Sequence, residues 1–409
     1  MIDRFFGDPN VLLRLRSGPL GPYVDSVCRL LVEQDYAEYS VRLRLRLLGV
    51  LSQWLGRRGL VVEDLDEQTI AKFLAEPAQA RTWVRRSRAV LRSLLDHLRG
   101  SGILSAPKVE QQDTPWARVE RAFSRYLIEQ RGVLQTTVVR YLYPVRHFLG
   151  EVFGTGPLLL SELSTADVTR FILRSSRLKG VRSGLGGLRC FFRFLRLSGE
   201  IAIDLAGAVP RCAHWRLSGL PKALPAEKIE RLLETCNRSL PLGLRDYAIL
   251  LLLARLGLRA AEVLALRLED LDWNAGELTI RGKGHRQDRL PMLKDVGAAL
   301  AAYLRNGRPC CATRRVFVGV RAPHRGLAGS SSVSAVVQRA LQHAGLCAPS
   351  RGAHMLRHSL ATEMLRRHAT LGEIGQILRH RQPSTTEIYA KVDFDALRTL
   401  AQPWPGGHP

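Results

Sequence analysis

The sequence predicts a mainly α protein with one small antiparallel β-sheet, an α+β chain of several domains. Three observations carry this. Apolar residues recur at helical spacing through most of the chain. Strand patterning is confined to GELTIRGKG, a polar turn and DRLPML, which reads as a hairpin, with Arg314 to Val320 as an expected third strand. The 409 residues exceed one ordinary domain, so roughly two to four are expected.

The first half contains a faint repeat. LVEQDY from Leu31 answers LIEQRG from Leu127, LDEQTIAKFL from Leu65 answers LSTADVTRFI from Leu163, and SGIL from Ser101 answers SGEI from Ser198. A nearly constant offset predicts two copies of one helical unit, residues 1–106 and 111–209. Val41 to Leu55 and Val138 to Phe153 are expected helices in the two copies. The last helix of each copy is basic on its polar side: Arg81, Arg85, Arg86, Arg88 and Arg92, then Arg182, Arg189, Arg193 and Arg196. Such stripes are ordinary solvated faces or contacts to phosphate.

Residues 210–222 read as a linker, and 223–409 as a third domain. Pro225 suits the first turn of a helix ending near Cys236. A longer helix is expected from Leu244 to Leu266, with further helices at Ser334 to Ala344, His354 to Arg367 and Leu371 to Leu378. A last helix is expected near Thr385, where Ser384 and Glu387 form a capping-box pattern.

Composition narrows the function. Lys and Arg total 61 against 37 Asp and Glu, a net charge of +24, which favours a polyanionic partner and nucleic acid first. Base composition explains the choice of Arg over Lys but not a surplus over acids. No apolar run is long enough for a membrane span, and the N-terminus lacks a signal core. A cytoplasmic, nucleoid-associated protein is expected. Seven scattered cysteines form no CxxC pair, so free thiols and no metal site are expected.

Several polar residues interrupt the apolar pattern of the third domain. Arg259 and Glu262 stand three apart in LGLRAAE. Lys283 lies between two glycines at the hairpin. His354 and Arg357 share a helix face in HMLRH. His358 follows, but Met355 replaces the Glu that a metalloprotease pair needs. His380 precedes Tyr389 by nine residues. Taken singly, each has a structural reading: a snorkelling Arg, a turn Lys, a packed His.

Taken in order, GLRxxE, the GKG hairpin, HxLRH and His with Tyr nine residues later resemble the catalytic domain of tyrosine recombinases, the phage integrase family. The resemblance covers residues 223 to 402. It implies an active site of Arg259, Lys283, His354, Arg357, His380 and the nucleophile Tyr389, behind helical DNA-binding N-terminal domains. LRHRQPSTTEIYAKVD resembles integrases carried by insertion elements. The family commonly has Gly where Arg379 stands, and Arg is expected to need an ordinary backbone conformation there.

The implied reaction is cleavage and rejoining of DNA through a 3′-phosphotyrosine. Two guanidiniums would clamp the phosphate, nearby positive charge would favour the phenolate, and His354 would accept or relay its proton. Lys283 would protonate the leaving 5′-oxygen. The phenol oxygen must then be reachable and close to the guanidinium pair. No cofactor is implied. The partner is double-stranded DNA, held by Arg85, Arg88, Arg92, Arg182, Arg189 and Arg193, with four protomers assembled alone or with related recombinases. The tail from Asp393 to Pro409 is expected to dock on a neighbour. A type IB topoisomerase-like nicking and resealing enzyme uses the same residues, and a DNA-binding protein with a dead site is the other alternative.

Overall fold

The computed structural model describes residues 1–105, 115–154, 156–175, 179–210, 219–282, 287–392 and 397–398, and within these the side chains other than those of 77–86, 115 and 179–183. The chain divides into two compact units, Met1–Ser105 with Arg216–Pro409, and Ala106–Trp215.

Residues 1–105 fold as five α-helices: α1 (Pro9–Arg16), α2 (Val24–Glu33), α3 (Glu38–Arg57), α4 (Glu67–Ala75) and α5 (Pro77–Gly100). Local chemistry sets their starts. Asp8 accepts from the Asn10 amide just before Pro9, and Asp66 accepts from the Thr69 amide at 2.7 Å. The apolar faces meet in one core that includes Leu45, Leu51, Phe73 and Leu98.

The second unit holds α6 (Pro115–Arg125), α7 (Gln135–Phe153), α8 (Thr165–Ser175) and α9 (Lys179–Leu197). The order long helix, 3-10 turn, short helix, long helix occurs in both halves: α3, Val62–Asp64, α4, α5 and then α7, Leu160–Glu162, α8, α9. Val62, Leu65, Ile70 and Phe73 are buried in the first, and Leu160, Leu163, Val168 and Phe171 in the second. A cluster of phenylalanines, with Phe148 edge-on to Phe171 and to Phe192, fills the second core.

Beyond the 210–222 stretch come α10 (Ala226–Glu234), α11 (Pro241–Arg255) and α12 (Ala260–Ala265), then β1 (Leu271–Asp272), β2 (Glu277–Arg281) and β3 (Gln287–Pro291). After the sheet follow α13 (Lys294–Asn306), α14 (Ser330–His343), α15 (His354–Arg366) and α16 (Leu371–Ile377). Helix α11 is buried on every side from Ala248 to Ala254, as an all-round apolar helix must be. The sheet is antiparallel in the order β1-β2-β3, with Leu278 opposite Leu290 and Thr279 opposite Arg289.

Three local expectations are corrected. The helix expected from Leu244 to Leu266 is broken after Arg255, because Gly257 takes φ +58 and ends α11. A Cβ at Gly257 would stand 2.7 Å from Leu378 Cδ2, so only glycine fits. Arg314 to Val320 is not a strand of the sheet. Val316 donates to the Leu266 carbonyl, Leu268 to that of Arg314, and only isolated bridges form, so this segment pairs with the turn before β1. The helix expected near Thr385 is replaced by two short 3-10 segments, Pro383–Thr385 and Glu387–Val392. A six-residue segment is too short to sustain an α-helix unless packing favours it, and here packing draws Tyr389 inward.

Candidate active site

The break at Gly257 is the first element of the site. It places Arg259 at the start of α12, where Glu262 answers it twice. Glu262 Oε2 accepts from the Arg259 backbone N–H and Oε1 from its guanidinium, both at 2.8 Å. The Arg259 head remains partly exposed while Glu262 is buried.

Arg357 comes from the first turns of α15. Its guanidinium is buried, and it donates to the carbonyls of Gly257 and Leu378. One side chain thus ties the α11–α12 break to the end of α16. Burial, with Arg259 nearby, pulls its pKa down to about 10, still charged at neutral pH.

His380 follows the end of α16. Its amide donates to Gly375 O, and its Nδ1 is 2.8 Å from Thr386 Oγ1. Burial first, then the Arg357 and Arg259 guanidiniums, lowers its pKa to about 4, so the ring is neutral. His354 is exposed at the start of α15, and partial desolvation followed by the same two guanidiniums holds it below the ordinary imidazole value.

Arg379 corrects an expectation. It adopts φ +54, the left-handed conformation that glycine would supply, rather than an ordinary one. The strain is held by its side chain, which donates to Glu262 Oε2 at 2.8 Å and lies 3.9 Å from Asp288 on β3. Burial pushes the Glu262 carboxyl up, but the Arg259 amide and the charges of Arg379 and Arg259 outweigh it and hold the carboxyl below its usual value.

Tyr389 departs furthest from expectation. Its ring is only 1% exposed, packed with Ala361, Leu365, Ile374 and Leu378. The phenol is therefore not reachable from solvent in this conformation. Nor do the guanidiniums favour the phenolate on balance: burial outweighs Arg357 and Arg259 and pushes the pKa up to about 12. The ring shares its cluster with Leu378, whose carbonyl Arg357 holds. The ring nitrogen that meets it is His358 Nδ1, 3.0 Å from Oη, and not His354. Sequence reasoning weighed His358 only as a metal partner of His354 and gave it no catalytic role, although its place next to Arg357 was a usable signal. Nothing local marked Thr386.

Arg259, His354, Arg357, His380 and Tyr389 therefore meet in one region, while Lys283 lies outside the described residues. The predicted DNA contacts are mixed. Arg88, Arg92 and Arg193 are exposed. Arg189 is half-buried and donates to the carbonyls of Val209 and Pro210, so its guanidinium is committed to the fold. Arg196 lies 3.5 Å from Asp204. The side chains of Arg81, Arg85, Arg86 and Arg182 lie outside the described residues. Among the described residues no group of His, Cys, Asp and Glu is placed to hold a metal, and no helix is long and apolar enough to cross a membrane.

A family model described as the phage integrase family matches residues 222–396. The "Putative integrase/recombinase y4rA" of Sinorhizobium fredii is 42% identical over 400 residues, covering 97% of this chain and 97% of that protein. The "Tyrosine recombinase XerD" of Mycobacterium tuberculosis is 32% identical over 305 residues, 69% of this chain and 95% of that protein. The fold is similar to the crystal structure of the XerH site-specific recombinase bound to its palindromic difH substrate, with a TM-score of 0.51 at 20% identity, covering 78% of this chain and 89% of that one. Near-complete coverage of a relative at this identity, over a site assembled from the family's residue types, leaves one conclusion: the chain belongs to the tyrosine recombinases of the phage integrase family.

Proposed function

We propose that this chain is a site-specific recombinase that cuts and rejoins double-stranded DNA through a covalent link between Tyr389 and a 3′-phosphate, in the service of a mobile element. The observation that carries the reading is that Arg357 ties the break before Arg259 to the Leu378 carbonyl, two residues before His380, while Tyr389 packs in the cluster of that same Leu378.

A phosphodiester repels nucleophiles because it is negative, and the charge grows as the five-coordinate state forms. Arg357 is held by two carbonyls before substrate arrives, so it stabilises that state without reorganising. Arg259, held at one edge by Glu262, offers the second guanidinium fork. With Nδ1 engaged by Thr386, His380 has Nε2 to donate to a non-bridging oxygen. Lys283 protonates the departing 5′-oxygen. The phosphotyrosine conserves the energy of the broken bond, so a second 5′-hydroxyl reverses the step without nucleotide hydrolysis. Because Tyr389 is buried, the Glu387–Val392 segment opens enough for the phosphate to reach Oη, with the His358 contact kept.

The helical segments 1–106 and 111–209 hold the duplex, consistent with the net charge of +24. Exchange between two duplexes needs two cuts in each, hence four protomers. The decisive experiment uses a nicked suicide duplex taken from the ends of the DNA element that carries the gene. The expected result is a denaturation-resistant protein–DNA adduct whose peptide map places the DNA on Tyr389. An adduct at another residue, or cleavage that stops with EDTA, overturns the reading.

A further inference from the structure

The contact that holds Tyr389 in place involves a side chain to which the family resemblance assigned no role, although it closes the HxLRH motif. His358 follows Arg357 on α15. Its Nδ1 is 3.0 Å from Tyr389 Oη, with the rings 5.7 Å apart and inclined by 60°. The nitrogen is therefore aimed at the oxygen, and the rings are not stacked.

We propose that His358 is a catalytic residue of the cleavage step, its Nδ1 taking the phenolic proton as Tyr389 Oη bonds to phosphorus. The inference rests on the recombinase reading above, in which Tyr389 is the nucleophile. In the forward step the Tyr389 O–H bond breaks while Nδ1–H and Oη–P bonds form. The P–O5′ bond breaks, and that oxygen takes its proton from a second donor, Lys283. Rejoining runs the sequence backwards, and the imidazolium returns the proton to Tyr389.

The surroundings suit this role. Burial, then His354 and Arg357, hold the His358 ring below the ordinary imidazole value, so it is neutral and has a lone pair to offer. The phenol beside it is a weaker acid than free tyrosine. Transfer between the two is uphill until the oxygen begins to share its electrons with phosphorus. Proton loss is thereby tied to attack, and the buried phenol does not ionise at rest. Tyr389 packs in a cluster with Ala361, Ile374 and Leu378, which keeps from the phenol water that would otherwise accept the proton.

The test compares the full chain with its His358→Asn variant on the nicked suicide duplex from the element ends. The asparagine amide oxygen can keep the hydrogen bond at the position of Nδ1 but cannot carry the proton. Adduct formation is expected to slow on the order of a hundredfold, with retention of the duplex on a native gel unchanged. The defect should persist when the scissile 5′-oxygen is replaced by sulfur, which departs without a proton, whereas that substrate should restore Lys283→Ala. His358→Ala with imidazole added to the buffer provides a second arm, in which recovery supports the role. Wild-type rates in His358→Asn, or rescue of that variant by the sulfur substrate, overturn the assignment. Faster cleavage in His358→Ala also overturns it and makes the contact a resting-state latch. If the wild-type chain forms no adduct, the recombinase reading itself falls, and the inference with it.

Discussion

The two buried clusters of the C-terminal part differ sharply in thickness. The larger, from Leu224 to Leu356, is built around α11, which contributes a continuous buried run from Ala248 to Ala254. The smaller has Ala361, Leu365, Ile374, Leu378 and Tyr389 as its buried members. Stability follows buried apolar contact, so the large cluster sets the global unfolding free energy and the small one opens at lower cost. Tyr389, the proposed nucleophile, sits in the small one. Under that proposal, a residue that the phosphate must reach is kept where local opening disturbs the rest of the fold least.

The most severe way to challenge this comparison is Tyr389→Phe. The adduct should vanish entirely, while the thermal midpoint changes little, since only one hydrogen bond of about 1 kcal/mol is lost. A large loss of stability would show that the small cluster is structural first. Next is Arg357→Lys, which removes the forked donor from Gly257 O and Leu378 O. Adduct formation should fall roughly 10²- to 10³-fold, measured under single-turnover conditions. A fall of less than about tenfold would mean that the guanidinium only braces the fold.

Packing variants test thickness itself. Leu252→Ala in α11 and Ile374→Ala in the small cluster should each cost about 2–5 kcal/mol in denaturant titration, the first toward the top of that range and the second toward the bottom. Equal effects would dissolve the distinction. Acid provides a gentler probe. His380 is lowered from 6.5 to about 4, and His354 and His358 shift the same way. Between those pH values the unfolded chain binds protons that the folded chain refuses, so stability is complete above pH 6.5 and declines as pH falls toward 4. Thermal melts should show this slope, and His380→Asn should flatten it. The smallest effect is expected from Arg379→Gly. Relief of roughly 1 kcal/mol of left-handed strain offsets the lost contact with Glu262, and a midpoint shift beyond about 2–4 °C would refute that balance.

The GLRxxE, HxLRH and His-to-Tyr motifs were legible because their conjunction resembles a known family and their polar residues interrupt an apolar pattern. The α11 core and the hairpin were legible for a related reason, their hydrophobic period. Arg379 was misjudged because a backbone rule for isolated residues was applied to one whose side chain is anchored by Glu262 and Asp288. The Arg stripe on α9 looked uniform in one dimension, yet Arg189 is turned to the carbonyls of Val209 and Pro210.

By itself the sequence determined the mainly helical class, the surplus of positive charge and the candidate side chains of the proposed reaction. All of these depend on residue identity and short-range periodicity. Tertiary structure alone decided that Gly257 breaks a helix so Arg357 can bridge it, that His358 rather than His354 meets the phenol, and that Tyr389 is a weak, buried acid rather than a ready phenolate. Those outcomes depend on desolvation and on contacts between residues 21 to 100 positions apart, and no local pattern encodes either.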